Sequence, residues 1–112
     1  MSKLDDLLAV YQEEASKLNI NIDNDLLLKV TKGLGPSIYN SDSSKVSCSD
    51  QSELDRVKTS YLMGKLGLPD GPELDSAIKE VCAAFGSTNR NKYRALFYYQ
   101  LAVKFGKESF YN

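Results

Sequence analysis

Apolar side chains recur along this chain at three- and four-residue intervals, in blocks separated by glycine, proline and asparagine. That interval is the repeat of an α-helix with one buried face. Leu4, Leu7, Leu8, Tyr11, Ala15 and Leu18 predict a first helix over about 2–18. Ser2 with Asp5 forms its capping pattern, and Asp5 and Asp6 suit the positive end of the helix dipole. Leu26, Leu27 and Val30 predict a second helix over about 23–32, with Asp23 as N-cap and Gly33 as stop. Leu54, Val57, Tyr61, Leu62 and Leu66 predict a third over about 51–66, opened by an Asp50–Glu53 capping box and ended by Gly67 and Pro69. Leu74, Ile78, Val81, Cys82 and Phe85 predict a fourth over about 72–85, with Pro72 at its first position.

The fifth block, about 89–105, differs in kind. Phe97, Tyr98, Leu101 and Phe105 cover one side of the helical wheel, and Leu96, Tyr99 and Val103 another. A helix apolar all round is a buried one. The pattern therefore predicts an all-α fold: a single compact domain over 1–112, a bundle of about five helices with the C-terminal helix at its centre. Phe110 and Tyr111 in the tail are expected to dock on the bundle, and Tyr99 is the aromatic expected to reach the surface. Period-two alternation is absent, so no strand is expected. The stretch 33–49 is the long irregular connection, with Ile38, Tyr39 and Val46 as its apolar anchors. Loops of this length in compact domains are commonly functional.

Composition narrows the chemistry. The chain has 112 residues, 42% hydrophobic and 26% charged, which suits a globular core. It has no histidine, which excludes His-based triads, His-containing zinc sites and the commonest general base. No cofactor and no metal are expected. Asp42, Ser44 and Glu53 fall on calcium-loop positions, but Val46 and Ser47 occupy the positions that need a ligand and a glycine. Cys48 and Cys82 form no CxxC motif and are expected to be reduced thiols, Cys82 as a small core residue. The apolar runs are too short to cross a membrane, and Asp5 and Asp6 interrupt any leader-like apolar run, so a cytoplasmic protein is expected.

The segments Lys32-Gly33-Leu34-Gly35-Pro36-Ser37-Ile38-Tyr39-Asn40 and Asn89-Arg90-Asn91-Lys92-Tyr93-Arg94-Ala95, the latter continuing into Phe97-Tyr98-Tyr99 and Lys104-Phe105-Gly106-Lys107-Glu108-Ser109, carry a resemblance. Together they resemble a family of small bacterial proteins classed as a domain of unknown function. The resemblance spans nearly the whole chain and implies a compact all-α cytoplasmic protein. It implies no activity, ligand or catalytic residue.

Two surfaces are candidates for function. The net charge is −1, yet residues 87–112 carry five basic groups and one acidic one. Asn89, Arg90, Asn91, Lys92 and Arg94 crowd the predicted start of the fifth helix, where free N–H groups and cations could bind an anion or a nucleic-acid backbone, with Tyr93 as a stacking face. The bland alternative is neutralisation by acids of neighbouring helices, among them Asp5, Asp6, Glu13, Glu14, Asp75 and Glu80. The second surface is the loop carrying Pro36, Ser37 and Tyr39. The leading expectation is a non-enzymatic protein-interaction or adaptor domain, acting on another protein or as a homodimer. The anion binder is the alternative.

Overall fold

The computed structural model describes residues 3–39, 45–86 and 92–111. Among them the expected helices follow in order: α1 (Lys3–Lys17), α2 (Asn24–Leu34), α3 (Gln51–Arg56), α4 (Pro72–Phe85) and α5 (Arg94–Lys104). α3 runs on directly into a π-helical stretch, Val57–Lys65. Short 3-10 turns cover Gly35–Tyr39 and Glu108–Tyr111. No strand occurs among the described residues, and one isolated antiparallel bridge joins Lys45 to Tyr93.

The core forms around α5, as its all-round apolar pattern requires. Ala95, Leu96, Phe97, Leu101 and Ala102 are wholly buried. α5 packs against α2, α4 and α1. Aspartate caps fix α2 and α3 where the sequence placed them. The Asp23 carboxylate accepts from the N–H groups of Asp25 (3.0 Å) and Leu26 (3.4 Å). Asp50 does the same for Ser52 (3.0 Å) and Glu53 (3.4 Å). Each such cap satisfies donors that the helix itself leaves unpaired. α2 extends one residue beyond the expected Gly33 stop, because Gly35 (φ 68°) makes the left-handed turn and its N–H bonds the Lys32 carbonyl.

Three further features of the fold depart from the sequence reading. The third helix changes winding after Arg56. Val57 and Leu62, and Tyr61 and Leu66, are buried pairs five residues apart. The Leu66 N–H correspondingly bonds the Tyr61 carbonyl at 2.9 Å, the i→i+5 pattern of π winding.

The fifth helix starts at Arg94, not near residue 89. Tyr93 is extended (φ −58°, ψ 131°), and the Val46 N–H donates to the Lys92 carbonyl at 2.8 Å. Pairing with the 45–46 segment gives the backbone at 92–93 an alternative to helix.

Cys48 and Cys82 are not free thiols. They are joined in a disulfide with Cα atoms 6.0 Å apart, a separation that suits the bond. The turn ahead of α3 lies beside α4, which brings together residues 34 apart in sequence. Closing a ring of that size stabilises a fold by about 3–4 kcal/mol through the unfolded chain's lost entropy.

Candidate interaction surface

The basic cluster expected to bind an anion divides. Asn89, Arg90 and Asn91 lie outside the described residues. Lys92 is buried, 8% exposed. Arg94 is held within the fold by Glu53, with both side chains 14% exposed. The Arg94 guanidinium also donates to the Tyr98 hydroxyl (3.1 Å) and reaches the Lys45 carbonyl (3.4 Å). Its partner Glu53 stands in the first turn of α3. The expected capping box is therefore half realised: Asp50 caps, while Glu53 crosses to α5.

Arg94 opens into a tyrosine network. Its guanidinium carbon sits 5.6 Å from the centre of the Tyr98 ring. Tyr98 stacks on Tyr61 with ring centres 4.0 Å apart. The Tyr61 hydroxyl donates to the Tyr98 carbonyl (3.2 Å) and lies 2.6 Å from the Tyr111 hydroxyl. Since Tyr61 has one proton to give, Tyr111 donates in that second bond. The tail thus docks through Tyr111, as expected. Phe110 does not join it: it remains 48% exposed and packs edge-on against the Tyr111 ring. Tyr99, expected at the surface, is buried at 5% exposure because its hydroxyl accepts the Asp23 N–H at 2.8 Å. That bond pins the start of α2 to α5.

Burial raises the phenol pKa of several tyrosines. Tyr11 is pushed up to about 12, first by burial and then by the proximity of Tyr93 and Tyr39. Tyr61, Tyr93 and Tyr111 are raised as well, each chiefly by burial. In the unfolded chain these phenols ionise near 10. Above that pH the unfolded state has lost protons that the folded state keeps, so stability falls as pH rises. Stability at full strength below pH 10, declining steeply through about pH 12, is the expected result of melting curves taken across that range. A flat profile would mean that the phenols ionise freely in the folded protein.

The second surface is the loop. Gly35–Tyr39 forms a 3-10 turn directly after α2. Ile38 is buried at 4% exposure, while Tyr39 is 51% exposed. The side chains of Pro36 and Ser37 lie outside the described ones. Tyr39 is therefore an aromatic held outward by a buried neighbour. A separate groove of about 330 Å³ lies between the α1–α2 connection, α4 and α5. Ile20, Val81, Ala84 and Val103 line it, and a Glu80–Lys104 ion pair closes one side. The sequence reading did not single it out, because its residues come from three distant stretches.

Among the described residues, no group of His, Cys, Asp and Glu could hold a metal ion. No helix there is long and apolar enough to cross a membrane. A helical bundle wrapped around one buried C-terminal helix, with its basic cluster partly engaged internally, defines a small all-α domain. The chain belongs to DUF2853, a protein family of unknown function, whose model matches residues 10–109. No curated protein matches it.

Proposed function

We propose that this protein is a non-enzymatic protein-interaction domain of the adaptor kind, and that Tyr39 is its principal contact. The observation that carries this reading is the pairing of exposed Tyr39 with buried Ile38 on a single short turn. A partner meets there an aromatic side chain whose backbone is already ordered. Tyrosine contributes large contact area at low entropic cost, and it is enriched among the residues that dominate binding energy. The occupant is another protein or a second copy of the chain.

The test is a Tyr39→Ser variant compared with Phe110→Ser, a control of similar exposure. Crosslinking with quantitative mass spectrometry, with sedimentation for self-association, reads out the partner. Tyr39→Ser should weaken retention about tenfold or more while melting as the parent does. Phe110→Ser should retain the partner. Equal retention by all three proteins would refute Tyr39 as the contact.

A further inference from the structure

We propose that the Cys48–Cys82 bond is a thiol–disulfide exchange site, at which a dithiol reductant releases the Lys45–Asp50 segment from α4 and loosens the entrance to α5. This goes beyond the interaction reading and does not depend on it.

The bond is placed for exchange. Both cysteines are only partly buried, and their neighbours Ser47, Ser49, Ala83 and Ala84 are exposed. Both cysteines pack against the core from its margin, while the wholly buried residues belong to α1, α2, α5 and the π-helical stretch. The Lys45–Asp50 segment inserts one deeply buried apolar side chain, Val46. The disulfide is thus a principal attachment of that segment to α4.

The same segment organises the start of α5. Val46 donates its N–H to the Lys92 carbonyl (2.8 Å), and Lys45 bridges to Tyr93. The Lys45 carbonyl accepts from Arg94 (3.4 Å), and the Lys45 ammonium sits 5.5 Å from the centre of the Tyr93 ring. Freeing one end of the segment therefore acts on residues 92–94.

The exchange balances with a dithiol as co-reactant. A reductant thiolate attacks the Cys48 sulfur on its exposed turn, forming a mixed disulfide and breaking the bond to Cys82. Cys82 leaves as thiolate and takes a proton. The second reductant thiol then attacks the mixed disulfide and releases Cys48 as a thiol. Two electrons and two protons pass to the protein, and the dithiol becomes a disulfide.

Dithiothreitol under native conditions is the probe, with thiol counting and hydrogen exchange read by mass spectrometry and NMR. The expected result is two titratable thiols formed without denaturant and a retained helical spectrum. Exchange at the Val46 N–H should rise about tenfold or more, while α1 and α2 stay within about twofold. A Cys48→Ser/Cys82→Ser variant should show the same local loosening with no reductant present. A bond that resists dithiothreitol until the protein unfolds would overturn the proposal. So would a reduced protein or double variant that unfolds globally, or one in which Val46 exchange is unchanged.

Discussion

Phe97→Ala is expected to destabilise the fold by about 3–5 kcal/mol. Phe97 is wholly buried at the middle of α5, and its ring stacks on Phe85 of α4 with centres 6.0 Å apart. Truncation removes apolar area from a helix that packs against α1, α2 and α4. The surrounding helices cannot close the void without shifting against one another, so the cavity cost adds to the transfer cost. In a domain of this size the loss corresponds to a fall in Tm of roughly 10–25 °C. The internal control is Val103→Ala, on the same helix but 43% exposed, which should move Tm little. Similar melting of the two variants would contradict the placement of α5 at the centre.

Arg94→Glu is expected to cost a comparable 3–5 kcal/mol. The substitution sets a carboxylate against Glu53 where both side chains have little contact with water. It also removes the bonds to the Tyr98 hydroxyl and the Lys45 carbonyl. Arg94→Met leaves Glu53 without its partner and should lose most of the same stability. A Glu53→Gln/Arg94→Met pair strands no charge and should recover part of it, giving a non-additive double-mutant cycle. Denaturant melts of the parent, Arg94→Met, Glu53→Gln and the double variant close the cycle, with Arg94→Glu melted beside them. If Arg94→Glu instead keeps the parent's stability, the guanidinium is free for a ligand and the anion-binding reading regains its central residue.

These two residues also show what the sequence could and could not tell. Phe97 was legible because a helix apolar on every side has one physical solution, burial within the bundle. The aspartate caps were legible because capping is local: Asp23 and Asp50 each bond groups two and three residues on. The basic cluster was visible as charge, but the pairing of Arg94 with Glu53 was not. Glu53 lies 41 residues from Arg94, and its spacing from Asp50 gave it a sufficient local role as a capping residue.

The same limit explains the disulfide. Two cysteines 34 residues apart carry no local signature of a bond, and the chain's capacity for a self-sufficient core argued for free thiols. What joins them is the packing of the α3 entrance along α4, a tertiary fact. Tyr99 failed in a like manner, since the backbone N–H that buries its hydroxyl belongs to Asp23, 76 residues away. Apolar pattern and local capping could be read, while the specific polar and covalent partners of Arg94, Tyr99 and Cys48, each on a distant stretch of chain, could not.

The closed ring also gives the chain a mechanical asymmetry. A force pulling on the two termini passes through the Cys48–Cys82 link and bypasses the backbone between them, which includes α3, its π-helical continuation and most of α4. Roughly 110–120 Å of contour stays hidden from the load while the bond is intact, at the reach of an extended chain. The chain can then lengthen only through the residues before Cys48 and after Cys82, among them α1, α2 and α5, and a dithiol converts the hidden length into slack.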